Sequence, residues 1–190
     1  MVYLFYHYLY KAIGLKFGRR YYMENLKDNY TLHFVENEAD IDFYWKMFYK
    51  YVVELLENDP SNGEEDFKYF LGKEYKEKIM NSFRRDTHKL EIVFLQSNGK
   101  DIGFAVYVIY DKEDGKCFIL EFCITPENRN KGIGKLFFKM LSEQILNENA
   151  TYFALHPSNE NNKRFWENLG FINTLYMDEY GNFIYENHSL

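Results

Sequence analysis

Several features that mark broad protein classes are missing from this sequence. No apolar run approaches the roughly 20 residues a bilayer-spanning helix needs, so no transmembrane segment is expected. There is no excess of positive charge: 23 lysines and arginines face 29 acids, a net charge of −6, which argues against a general nucleic-acid binder. No internal repeat and no low-complexity segment interrupts the chain. Cysteine is scarce. The two present, Cys117 and Cys123, fall six residues apart in what reads as one strand. At about 3.3 Å per residue they stand about 20 Å apart, several times the span a disulfide bridges. Two unpaired thiols, together with the lack of a clear secretory signal, indicate a reducing cytoplasm.

Hydrophobic residues, by contrast, make up 46% of the 190 residues and aromatics 20%. That supplies a substantial core for one domain of ordinary size. The first 22 residues stand apart. They carry Lys11, Lys16, Arg19 and Arg20 and no acid, a net of +4, leaving 19 bases against 29 acids in the remainder. Six tyrosines are crowded into the same stretch. Three readings remain open for this extension: a basic aromatic helix on a membrane surface, an appendage packed on the domain or on a second copy in a homodimer, or sequence preceding a natural start at Met23. The domain itself is expected over residues 23–190.

Beyond Met23 the periodicities are regular. Tyr30 to Val35 reads as a strand. Asp40 is expected to cap a helix whose inward face is Ile41, Tyr44, Trp45, Phe48, Val52, Leu55 and Leu56. Asp59-Pro60 and Asn62-Gly63 end it, and a second helix is predicted over Glu65 to Phe83. Leu90 to Gln96 and Asp101 to Tyr110 form a hairpin around Asn98-Gly99, and Asp114-Gly115 turns the chain into Lys116 to Thr125. A helix from Gly132 to Asn147, a strand from Thr151 to Leu155, a helix from Asn159 to Leu169 and two strands around Gly181 follow. The order is β-α-α-β-β-β-α-β-α-β-β, an α/β architecture: a mixed, mostly antiparallel sheet flanked by helices.

The most informative segment runs from Cys117 to Lys135. An apolar strand enters a loop reading Arg129-Asn130-Lys131-Gly132-Ile133-Gly134 and then a helix. Glycines permit close backbone approach, and a helix's first turn offers unpaired N–H groups and partial positive charge. Such a turn suits a diphosphate. Arg129, Lys131 and Lys135 add positive charge. The loop is neither a Rossmann fingerprint, because Phe137 occupies the third glycine position, nor a Walker loop, because Leu136 follows Gly134-Lys135.

The pattern Ile124-x-Pro126-x-x-Arg129-x-x-Gly132-x-Gly134 resembles the acetyl-CoA-binding motif of the GNAT superfamily of N-acetyltransferases. Downstream, Asn159 to Phe171, with Phe165, Trp166, Glu167, Leu169 and Gly170, is similar to that family's second motif. The resemblance covers roughly Tyr30 to Asn187. It implies acetyl-CoA as co-substrate, with no metal, and a primary amine on a small molecule or peptide as acceptor. It also implies that backbone amides from Arg129 to Lys135 hold the pyrophosphate and that Phe122, Cys123 and Ile124 pair with pantetheine as an added strand. Asn159 is expected on the pantetheine arm, as a helix cap, or both. Trp166 stands where many members carry a tyrosine proposed to protonate the departing thiolate, and an indole N–H is no practical acid. Asn162 replaces the motif's usual small residue.

Acetyl transfer to an amine requires a group that takes the ammonium proton. Glu121, placed by simple alternation on the face of Ile119 and Cys123, is the candidate base. Binding the substrate ammonium and a structural role are the alternatives. Tyr152, His156 and Tyr176 are secondary candidates near the cleft. Between Glu36 and Asp66, ten acids face only Lys46 and Lys50. This is either a field attracting a cationic amine or a solvated helix face with acidic caps.

Overall fold

The alternating apolar residues of the middle of the chain build one sheet buried on both faces. In the computed structural model, which describes residues 29–58 and 63–190, seven strands form it: β1 (Tyr30–Phe34), β2 (Leu90–Ser97), β3 (Lys100–Ile109), β4 (Lys116–Ile124), β5 (Tyr152–Leu155), β6 (Ile172–Met177) and β7 (Phe183–Asn187). Their spatial order is β1-β2-β3-β4-β5-β7-β6. All neighbours run antiparallel except β4 and β5, which are parallel. The residues of the amino-terminal extension lie outside those described, as does the Asp59-Pro60 break.

Helices α1 (Glu38–Glu57), α2 (Glu64–Phe70) and α3 (Lys73–Arg84) cover one face, and α4 (Ile133–Asn147) and α5 (Glu160–Glu167) the other. Strand alternation feeds both layers. Ile92, Phe94, Phe104 and Val106 pack under α1 and α3, while Val93, Leu95, Ala105 and Tyr107 pack under α4. Each large apolar side chain buried in this way contributes roughly 1.5–3 kcal/mol.

Two local expectations are corrected. The cap of α1 is Asn37, whose side-chain oxygen accepts from the Asp40 N–H at 3.1 Å. Asp40 reciprocates by accepting from Asn37 Nδ2 at 2.8 Å, so it completes the cap from inside the first turn. The single helix predicted over Glu65 to Phe83 is two helices, broken at Gly72. A Cβ there would lie 2.4 Å from the Lys68 carbonyl oxygen, so the tight turn requires glycine. The break lets α2 and α3 lean separately on α1.

Candidate active site

The site begins with an irregularity in β4. Val106 pairs with Glu121 but Tyr107 pairs with Ile119, leaving Leu120 as an extra residue, a β-bulge. Alternation therefore inverts at this point. Cys117, Ile119 and Phe122 face the α4–α5 side, while Cys123 and Glu121 face α1 and α3. The expectation that Glu121 shares a face with Ile119 is wrong for this reason. The two cysteines are free, buried and on opposite faces, and burial pushes the Cys123 thiol up to about 12. A thiol held protonated in this way is unsuited to act as a nucleophile.

At the same bulge the sheet opens. The parallel ladder between β4 and β5 covers only Lys116 to Ile119 and Tyr152 to Leu155. Past it, β4 continues to Ile124, while the other chain turns away through His156 and Pro157 toward α5. Proline offers no N–H to extend the ladder. A cavity of about 260 Å³ lies at the fork. A groove of about 480 Å³ follows β4 from Phe122 to Ile124, with Arg129, Asn159 and Asn162 also on its walls.

Glu121 lines the cavity and is half-buried. Its Oε1 accepts from the Tyr75 hydroxyl at 3.1 Å, and the Tyr51 hydroxyl also favours the carboxylate. Loss of hydration raises its pKa and the two tyrosines lower it; the net result is a carboxyl pushed up to about 7. Tyr75, buried, and Tyr51, half-buried, hold their protons well above the usual phenol range through loss of hydration and the neighbouring carboxylate, and Tyr75 acts as a donor. Neither partner had a local sign in the sequence, since Tyr75 lies 46 residues from Glu121.

Where β4 ends, Pro126–Asn128 form one turn of 3-10 helix. Asn130 (φ 59°) and Gly132 (φ 78°) are left-handed, and α4 starts at Ile133 without a side-chain cap. Its first internal bond runs from the Leu136 N–H to the Gly132 carbonyl at 3.1 Å, so the amides of Ile133, Gly134 and Lys135 precede the helical ladder. Asn130, Lys131, Gly132 and Lys135 are exposed around them, whereas the Ile133 side chain is in the core. Among the described residues, a Cβ on Gly132 would meet nothing within 4 Å, whereas one on Gly134 would stand 3.3 Å from the Phe165 ring. Gly132 thus leaves open space at the start of α4, and Gly134 lets α4 approach α5.

The family model for the GNAT acetyltransferases matches residues 49–171. The chain belongs to the GNAT acetyltransferase family. Its fold is also that of solved GNAT proteins. The PaiA N-acetyltransferase of Thermoplasma acidophilum, solved in complex with coenzyme A, is 18% identical, covers 83% of this chain and 99% of its own, and has a TM-score of 0.63. A putative acetyltransferase of Bacillus subtilis, YycN, is also 18% identical, with 78% and 98% covered and a TM-score of 0.63. A GNAT acetyltransferase of Elizabethkingia anophelis with acetyl-CoA bound is 16% identical, with 85% and 99% covered and a TM-score of 0.51. No curated protein shows significant sequence similarity to the chain.

Within the GNAT frame, the groove gathers Phe122, Cys123, Ile124, Arg129 and Asn159. Two of these have prior engagements. The Asn159 side chain caps α5, accepting from the Asn162 N–H at 2.9 Å. The Arg129 guanidinium is held by the Glu54 carboxylate through both terminal nitrogens, Nη2 at 2.8 Å, and Arg129 Nε donates to the Ile124 carbonyl at 2.7 Å. Arg129 therefore pins the end of β4 to α1 and gives its charge to Glu54. Replacing either partner is expected to lower Tm by a few degrees, on the order of 1–2 kcal/mol for a bidentate, partly exposed pair. In a double-mutant melting cycle, Arg129→Ala and Glu54→Gln together should cost clearly less than the sum of the two.

Trp166 is buried among Phe122, Phe138, Phe165 and Phe171, with ring centroids 4.9–5.4 Å away. Its indole N–H donates to Asn162 Oδ1 at 3.0 Å. The two departures from the family motif are thus one device: the larger residue at 162 satisfies the indole at 166. Their i, i+4 spacing was a readable sign of it. Of the secondary candidates, Tyr152 bonds Asp114 and Tyr176 is exposed on the edge strand β6, so neither reaches the cavity. His156 does line it. Its Nδ1 is 3.5 Å from Asp178 Oδ2, its Nε2 is buried with no hydrogen-bond partner among the described residues, and burial holds its pKa below the usual histidine value.

Proposed function

We propose that the chain transfers an acetyl group from acetyl-CoA to a primary amine of a small-molecule or peptide acceptor by direct attack on the thioester. The observation that carries the reading is the Glu121 carboxyl, set where β4 and β5 part and pushed up to about 7. An acid with that pKa is half ionised at neutral pH and can take a proton there. The amine nitrogen bonds to the acetyl carbon, its proton passes to Glu121 directly or through water, and the carbon–sulfur bond breaks. The thiolate is then protonated by solvent or by a group lining the cavity. The uncapped amides of Ile133 to Lys135 suit a pyrophosphate, and the β4 edge from Phe122 to Ile124 suits the amides of a pantetheine arm.

Thiol release from acetyl-CoA across a panel of amines tests this reading. A second reading has one observation in its favour: the Trp166 N–H is engaged by Asn162, so no acid stands at that motif position. On that reading the domain binds acyl-CoA as a sensor or docking module, and acetyl-CoA binding without turnover on a wide panel would support it.

The domain is proposed to span residues 23–190, in a cytoplasmic protein. Both family motifs and the seven strands of the described residues lie beyond Met23. Deleting residues 1–22 is therefore expected to leave a cooperative melting transition and an unchanged acetyl-CoA affinity, read by circular dichroism and calorimetry. Loss of the transition would place the extension in the core.

A further inference from the structure

We infer that the acceptor is a compact monoamine with an apolar, alkyl or aryl body, and that polyamines and lysine-rich peptides are poor acceptors. The inference rests on the reading that the cavity beside Glu121 receives the acceptor. Of the two readings of the acid-rich stretch between Glu36 and Asp66, a field attracting a cationic amine or a solvated helix face with acidic caps, the first would favour a multiply charged acceptor. Among the described residues, none of those acids lines the cavity. Glu54 is held by Arg129, Asp40 completes the α1 cap and contacts His33, and Asp66 caps α2 by accepting from the Gly63 N–H at 2.8 Å. Glu38 reaches toward Arg84.

The wall that α1 and α2 present carries no charge: Val52, Leu55, Leu56 and Phe70 are apolar, and Tyr51, beside Glu121, adds its neutral hydroxyl. Leu55, expected in the core, is half-buried because it faces this space. The opposite wall adds Leu120, Leu155 and Trp166, with the neutral polar side chains of Ser158, Asn162 and Asn182. Two side chains among the described lining residues can carry charge near neutrality, Glu121 and His156, and burial disfavours the charged form of both. One ammonium can therefore be met, by Glu121. A second ammonium held in the cavity would meet apolar and neutral polar side chains and, among the described lining residues, no second carboxylate to replace its water, which is costly. The volume of about 260 Å³ sits just under the range of roughly 300–1,000 Å³ usual for small-molecule sites. It suits a short acceptor.

Calorimetric titration of 2-phenylethylamine, n-hexylamine and spermidine into the full chain saturated with CoA tests this without requiring turnover. The two monoamines are expected to bind at least about tenfold more tightly than spermidine. Leu55→Glu, which adds a carboxylate to the uncharged wall, is expected to narrow or reverse that ratio. Equal or tighter binding of spermidine by the wild-type protein overturns the inference, and so does failure of both monoamines to bind. Thiol release, measured separately with the same amines and acetyl-CoA, reports on acetyl transfer. Monoamine binding without thiol release would sink the enzymatic reading and leave the cavity's selectivity standing.

Discussion

Glu121→Gln is expected to lower turnover by about 10²–10⁴-fold, the scale of a lost general base, with CoA affinity unchanged. The side chain keeps its shape and can still accept from Tyr75, so the loss should lie in kcat. An ammonium-binding role would instead raise KM. Wild-type kcat/KM should rise with pH through about 7, as Glu121 loses its proton. The variant should lack that limb, and its defect should shrink as pH nears the amine's own pKa, where the substrate arrives already deprotonated. His156→Gln is the control: it shares the cavity, so a limb that survives in this variant and vanishes in Glu121→Gln assigns the proton to the carboxylate. Unchanged kinetics in Glu121→Gln would remove the residue from the mechanism.

The same substitution has a stability signature of opposite sign. Glu121 has a folded-state pKa of about 7 against an ordinary value of 4.5. Between those values the unfolded chain ionises and the folded chain does not, so wild-type stability falls as pH rises from about 4.5 through 7. Glutamine has no charge to bury. Glu121→Gln should therefore melt higher than wild type above pH 7, with the difference closing toward pH 4.5. An enzyme slower yet more heat-stable at pH 8 is the combined result expected of a strained catalytic carboxylate.

Much of the fold was legible because its signals are local. The α1 stripe apart from Leu55, the Asn98-Gly99 hairpin and the order strand, loop, helix over residues 117–135 each depend on residues a few positions apart, and these elements stand where the sequence pattern put them. The site was legible only in part because its decisive features are not local. Nothing in the sequence Phe-Ile-Leu-Glu-Phe-Cys announces that Leu120 is an extra residue, yet that bulge decides which face Glu121 occupies. Arg129 reads as a phosphate ligand until Glu54, 75 residues away, is seen to hold it. The acid-rich stretch reads as a field until Glu38, Asp40, Glu54 and Asp66 are found in caps and ion pairs. Asn162 and Trp166 are the exception. Four residues apart on one helix, they carried their explanation in the sequence, and a family template obscured it by presenting two departures where there is one compensated pair.

The loop before α4 yields the second large effect. Gly132→Val is expected to weaken CoA binding at least tenfold, about 1.4 kcal/mol, with pantetheine lacking the diphosphate much less affected. The reason is geometric. Among the described residues, a Cβ at Gly132 meets no atom within 4 Å, so a side chain there would occupy open space at the start of α4, next to the uncapped amides of Ile133 to Lys135 proposed to hold the pyrophosphate. Valine also strains the backbone, because φ is 78° and a β-branched residue is disfavoured there by roughly 1–2 kcal/mol. Gly132→Asn separates the two causes. Asparagine tolerates the left-handed region, as Asn130 does two residues earlier at φ 59°, while still placing a side chain in the same space. Loss of CoA affinity in both variants locates the diphosphate over Gly132, and loss in the valine variant alone would mean that strain moved the loop. Gly134→Ala should behave differently. Its Cβ would press on the Phe165 ring at 3.3 Å, so the cost should appear in Tm through α4–α5 packing before it appears in affinity. If folded Gly132→Val and Gly132→Asn proteins both bind CoA as the wild type does, the pyrophosphate does not bind at this helix terminus, and the positive charge of Lys131 and Lys135 has to be explained some other way.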